Sequence, residues 1–135
     1  MNPSLTVNEL MDTQFLTFPA EMPVTEAVEI LRTRKLFGGC VVDQANKVLG
    51  ILSEKACIRL YEDSWSGNVN RPLKEIKVTE IMYPEFKTVS KSLGVVQAAE
   101  LFLKSEFRRL PVVDSGRLIG QITRRDIVKA VRELG

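Results

Sequence analysis

The sequence contains one unit written twice, and this internal repeat limits the possible folds more than any other feature. A shift of 71 residues aligns the segment that begins at Val7 (VNELMDTQFLT) with the segment that begins at Val78 (VTEIMYPEFKT). The same shift matches Val-Val-Asp at 41–43 with Val-Val-Asp at 112–114. The matches fall on apolar and turn positions along the whole unit, which indicates two copies of one fold.

The periodicity of the apolar residues predicts the elements of each copy. A short helical turn precedes a short strand, which is QFLTF in copy one and EFKTV in copy two. An amphipathic helix follows, then two strands, then a last helix, so the order β-α-β-β-α predicts an α+β fold. The predicted apolar helix positions are Val24, Ala27, Val28 and Leu31 in copy one, Val95, Ala98, Ala99 and Phe102 in copy two, and Ile127, Val128, Val131 and Leu134 in the C-terminal helix.

Each copy is short for a separate domain, because about 60 residues bury only a marginal core. We therefore predict two repeats, residues 1–62 and 76–135, that pack sheet to sheet with pseudo-two-fold symmetry. The residues 63–75 between them are polar, rich in Gly and Asn, and typical of a linker. Trp65 lies in this segment, and we expect it to pack against the module or a partner because large aromatic side chains are seldom left uncovered.

Composition excludes several classes of function. The chain has no histidine, which removes the commonest general base and metal ligand. Its two cysteines, Cys40 and Cys57, are too few for a zinc site and are flanked by apolar residues, so we expect both to be buried as small hydrophobic side chains. At most one disulfide, no apolar run of about 18 residues and no signal-peptide pattern predict a cytoplasmic protein without a membrane segment. Ser53 and Thr123 have no partner base, so we expect no enzyme activity, metal or cofactor.

The second copy carries the segment LPVVDSGRLIGQITRRDIVKAV, and the first carries GCVVDQANKVLGILSEKACIRL. This pattern of an apolar strand ending in Asp, a turn, a second strand with a central Gly and a helix start resembles the cystathionine-β-synthase (CBS) domain. Two such domains in tandem resemble a Bateman module, and the resemblance covers nearly the whole chain. It implies a regulatory module, and many such modules bind AMP, ADP, ATP or S-adenosylmethionine between their repeats.

The resemblance implies that Thr123 and Asp126 hold the ribose of a ligand. A hydroxyl followed three positions later by a carboxylate suits the two hydroxyls of a ribose, since an ionised carboxylate accepts hydrogen bonds from both. The same spacing also predicts a helix cap in which the two side chains bind backbone amides. The sequence leaves both interpretations open.

The resemblance also implies that Arg108, Arg109 and Arg125 contact phosphate groups, for which guanidinium geometry is well suited. Between residues 101 and 132, eight Lys and Arg face only three acids, whereas the whole chain has a net charge of +2. This local excess favours an anionic ligand or partner. The alternative is a set of solvated surface charges.

The resemblance also implies that the base of the ligand lies against residues of copy one. These predicted walls are Phe15, Leu16, Leu36, Phe37 and Gly38. Tight turns and ordinary core packing are the alternative explanation of these residues. Copy one has Ala56 where the pattern has Asp, and Gly38-Gly39 stand in place of the basic pair, so we expect one competent site per chain.

These features predict a sensor that binds an adenine nucleotide and signals to a partner protein that the sequence does not identify. One alternative is S-adenosylmethionine as the ligand. Another is a ligand-free module that forms a homodimer or docks a partner through the helix faces around Val28, Leu31, Val128 and Val131. Nucleic-acid binding by the basic second copy is a weaker reading, since the whole chain is nearly balanced in charge.

Overall fold

The computed structural model describes residues 5–134, so residues 1–4 and 135 at the ends of the predicted repeats lie outside the described residues. The α-helices are α1 (Val7–Leu10), α2 (Val24–Arg34), α3 (Glu54–Trp65), α4 (Val95–Lys104) and α5 (Arg124–Ala130). The strands are β1 (Thr17–Pro19), β2 (Gly38–Val42), β3 (Val48–Ser53), β4 (Val89–Ser90), β5 (Arg109–Asp114) and β6 (Arg117–Thr123). Short 3-10 turns span Leu73–Glu75, Val78–Glu80 and Val131–Leu134. The strands form two three-stranded sheets, which confirms the α+β prediction.

The chain divides into two compact units that do not coincide with the sequence repeats. The first unit is Leu16–Phe86, and the second unit comprises residues 5–15 and 87–134. In the second unit, the amide of Val7 donates a hydrogen bond to the carbonyl of Leu93 (2.8 Å). In the first unit, the amide of Val78 donates to the carbonyl of Met22 (2.9 Å). The short helical turn that begins each sequence repeat therefore packs with the elements of the other repeat.

The second unit has the sheet order β4-β5-β6, in which β4 is parallel to β5 and β5 is antiparallel to β6. The two residues of the β5–β6 turn, Ser115 and Gly116, both have positive φ, as a tight two-residue hairpin turn requires. Its buried core consists of Val7, Val89, Ala98, Phe102, Leu110, Val112 and Ile122. The apolar side chains of α1 and α4 thus share one core with the strands of the sheet.

The first unit repeats this topology with the order β1-β2-β3. Its main buried core consists of Phe18, Ala27, Leu31, Val41, Leu52 and Val78. Helix α3 continues through Trp65, so the first three residues of the predicted linker are helical. The expectation that Trp65 packs against the module is wrong, because its side chain is 77% exposed and meets the ring of Tyr61 edge-on at 6.2 Å, whereas packing against a partner stays a prediction.

The structure separates core from surface on the helix faces that the sequence could not divide. On α2, Leu31 is buried whereas Val28 is exposed. On α5, Ile127 packs against the core, and Val128 is 68% exposed. Val131 and Leu134, in the 3-10 turn that follows, are exposed as well. Every helix within residues 5–134 is too short or too polar to span a bilayer.

Candidate functional site

The end of β6 and the start of α5 bring Thr123 and Asp126 together as a capping box. Oδ2 of Asp126 accepts hydrogen bonds from the backbone amide of Thr123 (2.8 Å) and from its hydroxyl (3.0 Å). In return, Oγ1 of Thr123 accepts from the amide of Asp126 (3.2 Å). The capping interpretation of the Thr-x-x-Asp spacing is therefore confirmed, because the two side chains satisfy backbone donors at the helix start.

The cap leaves acceptor capacity on the same two side chains. Within residues 5–134, no group donates a hydrogen bond to Oδ1 of Asp126. A hydroxyl oxygen has two lone pairs, and Oγ1 of Thr123 uses one of them to accept from the amide of Asp126. Both residues are half-buried. One free carboxylate oxygen beside one free hydroxyl lone pair can accept from two neighbouring hydroxyls, so capping and ribose binding are compatible roles.

The sheet register places the predicted phosphate-binding arginines beside this pair. Arg109 lies directly opposite Thr123 in the β5–β6 ladder, so their side chains share one face of the sheet. Arg108 precedes Arg109, and Arg125 lies in the first turn of α5 next to Asp126. Arg108 and Arg125 are exposed, and neither forms an ion pair with any residue that the structure describes. The second unit thus holds all five predicted ribose and phosphate residues near one another.

Arg124 was not among the predicted site residues, and its side chain has a different environment from that of Arg125. Its Nε donates a hydrogen bond to the carbonyl of Phe107 (2.9 Å), and its Nη2 donates to the carbonyl of Ser105 (3.1 Å). The guanidinium therefore lies against the chain just after α4. The run Arg124-Arg125 in the sequence contains nothing that distinguishes a residue bound to carbonyls from a residue free to meet a ligand.

The predicted base walls are divided between the two units. Phe15 is half-buried in the second unit, and the other four lie in the first. Leu36 packs against the core, which fits the alternative explanation of that residue, whereas the side chain of Phe37 is 73% exposed. At Gly38, with φ of 156°, a Cβ would lie 2.3 Å from the carbonyl oxygen of Leu52, so only glycine fits. The role of these residues as base walls stays a prediction.

The equivalent position in the first unit has become part of the protein interior. Oγ of Ser53 accepts a hydrogen bond from the amide of Ala56 (3.2 Å), so the helix cap is kept without a carboxylate. Ala56 is 2% exposed, whereas its counterpart Asp126 is half-buried. The register also corrects the comparison with the basic pair: Gly38 pairs with Ser53 as Arg109 pairs with Thr123, so Phe37 and Gly38, rather than Gly38 and Gly39, occupy the positions of Arg108 and Arg109.

Sequence reasoning missed a segment that borders the candidate site. Asp12 pairs with Gln121, two residues before Thr123, through backbone hydrogen bonds of 2.8 and 3.0 Å. A Cβ at Gly120 would lie 2.5 Å from the sulfur of Met11, so this glycine admits the incoming segment. Gly50 makes the same close approach to Met82 in the first unit. The joint recurrence of Met and Gly in both repeats was the signal that could have revealed it.

A surface groove of about 430 Å³ lies elsewhere on the second unit, along β4 and α4. Its lining consists of Lys87, Thr88, Val89, Ser90, Leu93, Gln97, Glu100, Leu101 and Lys104. This set includes none of the residues that the sequence predicted for ligand binding.

The two cysteines are free thiols. Cys40 is fully buried, as predicted, but the prediction that Cys57 is buried is wrong, because it is only half-buried. Burial raises the pKa of the Cys57 thiol, and the nearby Glu54 carboxylate raises it further. Within residues 5–134, no group of three or more His, Cys, Asp or Glu side chains could hold a metal ion.

Three comparisons place this geometry among known proteins. A family model for the CBS domain matches residues 7–63 and again residues 78–133. The CBS domain-containing protein CBSX1, chloroplastic, of Arabidopsis thaliana is 30% identical over 133 residues, covering 82% of this chain and 56% of that protein. A crystal structure of CBSX2 in complex with AMP, also an Arabidopsis thaliana protein, has a TM-score of 0.82 at 29% identity and covers 96% of this chain and 98% of that one.

A third solved structure supports the fold alone. It is the CBS domain pair of protein MJ0100 in complex with 5′-methylthioadenosine and S-adenosyl-L-methionine, with a TM-score of 0.78 at 21% identity; it covers 98% of this chain and 100% of that chain. The chain belongs to the CBS domain family and carries two CBS domains in tandem. It spans little more than half the length of its relative CBSX1.

Proposed function

We propose that this chain is a regulatory module that binds an adenine nucleotide at Thr123 and Asp126 and transmits that binding to a partner protein. The observation that carries the proposal is the half-buried Asp126 carboxylate, whose Oδ2 serves the helix cap while Oδ1 has no donor within residues 5–134. The crystal structure of CBSX2 in complex with AMP supports the choice of ligand.

The three arginines favour a phosphorylated ligand over S-adenosylmethionine. Arg108 and Arg125 are exposed guanidinium groups without an acidic partner in the described part of the chain. A phosphate would neutralise them, whereas the sulfonium of S-adenosylmethionine adds a further positive charge near them. Binding of phosphate lowers the repulsion between these guanidinium groups and shifts the population toward the conformation that holds them together. This shift is the signal that we propose the partner protein senses.

The test is a calorimetric titration with AMP, ADP, ATP, adenosine and S-adenosylmethionine. Asp126→Ala removes the free carboxylate oxygen and is expected to weaken nucleotide binding about 10–100-fold, the size of a hydrogen bond to a charged group. Asp114→Ala is the matched control, because it removes the same charge from an exposed position in the same unit. Nucleotide affinity that survives Asp126→Ala, or that falls equally in both variants, would show that the site is elsewhere.

We propose a second, compatible role as a homodimer. Ile58, Tyr61 and Trp65 form an exposed apolar row on α3, each at least 66% exposed. Exposed apolar patches of this kind are typical of protein–protein interfaces. Replacing Trp65 by Glu is expected to convert the dimer into a monomer in sedimentation equilibrium, whereas Leu103→Glu, at a still more exposed apolar position on α4, serves as the control. A wild-type chain that is monomeric at all concentrations would end this proposal.

We also propose that the chain acts by binding and not by catalysis, and that it does so in the cytoplasm. The free thiols support a reducing compartment.

A further inference from the structure

The chain between α4 and β5 carries Arg108 and Arg109, and its backbone carbonyls need partners. The last carbonyls of a helix find no amide donor inside the helix itself. The guanidinium of Arg124 supplies donors here, because it donates to the carbonyls of Phe107 (2.9 Å), Ser105 (3.1 Å) and, more weakly, Phe102 (3.4 Å). One side chain from α5 therefore binds three backbone groups of the segment that ends α4 and leads to the basic pair.

The backbone of Arg124 holds the same segment from its other end. Its amide donates to the carbonyl of Arg108 (3.2 Å), next to the Arg109–Thr123 pair of the ladder. The segment is thus fixed by a backbone bond at Arg108 and by side-chain bonds at the three carbonyls that precede it. A planar guanidinium with several fixed donors can do this, whereas the single ammonium of lysine cannot span the carbonyls in the same way.

The first unit provides an internal comparison. There the amide of Glu54, the counterpart of Arg124, donates to the carbonyl of Phe37 (3.2 Å), so the backbone bond belongs to the fold. The carboxylate of Glu54 cannot donate to carbonyls. Phe37 and Gly38 occupy the positions of Arg108 and Arg109, so the first unit has no basic pair there. The side-chain bridge is thus present in the unit that carries the basic pair Arg108 and Arg109, and the first unit has neither that pair nor an arginine at the position of Arg124.

We infer that Arg124 is a positioning residue that holds Arg108 and Arg109 where they meet the phosphate of the ligand. The inference rests on the proposed nucleotide binding and extends it to a residue that does not itself need to touch the ligand. It separates the two neighbouring arginines of α5 by role, with Arg125 facing the ligand and Arg124 holding the loop. The consequence is specific: loss of Arg124 weakens binding of the phosphate and leaves binding of the nucleoside unchanged.

The test compares AMP and adenosine by calorimetry on the full chain with Arg124→Lys and Arg124→Gln. Both variants are expected to weaken AMP about tenfold, the size of one lost charge-assisted contact, and to leave adenosine within about twofold. Arg117→Lys and Arg117→Gln are the controls, because Arg117 is an exposed arginine of the same unit at the β5–β6 turn. Melting curves recorded without ligand identify a temperature at which every variant is folded, and the titrations are run at that temperature.

A second measurement distinguishes positioning from general effects on charge or stability. In an Arg108→Gln, Arg109→Gln background, Arg124→Lys is expected to have no further effect on AMP, because the groups that it positions are gone. An Arg124→Lys variant with wild-type AMP affinity would show that only its charge matters and would overturn the inference. Equal losses in both backgrounds, or equal losses of AMP and adenosine, would overturn it too. A wild-type chain that binds neither compound refutes the proposed function itself.

Discussion

The short segment that begins each sequence repeat lies close to a glycine of a sheet strand, so Gly50→Ala and Gly120→Ala form a matched pair of substitutions. At Gly50, a new Cβ would lie 2.6 Å from the sulfur of Met82 and 2.7 Å from the backbone carbonyl of Tyr83. At Gly120, it would lie 2.5 Å from the sulfur of Met11 but 3.1 Å from the backbone carbonyl of Asp12. The sulfur atoms can rotate away, whereas a backbone carbonyl moves only with its segment.

We therefore expect Gly50→Ala to destabilise the protein more than Gly120→Ala. Overpacking a close contact costs about 1–3 kcal/mol, so we assign about 3 kcal/mol to Gly50→Ala and about 1 kcal/mol to Gly120→Ala. Urea unfolding followed by circular dichroism measures both as shifts of the transition midpoint at constant slope.

The contact with methionine is tested by a double variant. Met11→Ala removes the sulfur that a Cβ at Gly120 would meet, so Gly120→Ala is expected to cost less in the Met11→Ala background than in the wild type. Losses below about 0.5 kcal/mol for both glycines, typical of surface substitutions, would refute the close approach of the segments. A larger loss for Gly120→Ala than for Gly50→Ala would refute the assignment of the cost to the backbone carbonyl.

Three further predictions concern the ligand stoichiometry, the carboxylate of Glu80 and the thiol of Cys57. Because Ala56 is buried where Asp126 is half-buried, calorimetry is expected to give one AMP per chain, and a stoichiometry of two would contradict the loss of the first site. The pKa of Glu80 is lowered by the backbone amide of Lys77 and then by Arg71, so its stabilising effect is full above the unfolded pKa of about 4.3 and is lost as pH falls through the lowered value. Urea midpoints of wild type and Glu80→Gln are thus expected to differ at pH 7 and to converge in acid; a constant difference would show that the charge is irrelevant. Since burial raises the pKa of the Cys57 thiol, its alkylation by iodoacetamide at pH 7 is expected to be slower than that of free cysteine, and equal rates would contradict its placement.

Local features of the molecule were predictable from residue order. The hairpin at Ser115 and Gly116 and the cap formed by Thr123 and Asp126 depend on residues within one turn of each other. The order of helices and strands depends on the period of apolar residues, which a single strand or helix expresses alone. The missing carboxylate at Ala56 is visible from comparison of the two repeats. Each of these features involves energies that act over a few neighbouring residues.

Other features depend on which distant segments meet. The repeats align residue for residue, yet Val7 binds Leu93 and Val78 binds Met22, because each short helical turn finds its partner carbonyl in the other repeat. Arg124 and Arg125 are identical neighbours, and only the carbonyls at the end of α4, about twenty residues earlier, engage one of them. Trp65 is exposed on the single chain, so its cover depends on a partner surface. The type of a residue determines which groups its side chain can bind. Several distant groups of the chain fit that chemistry equally well, and only tertiary packing decides which of them lies beside the residue.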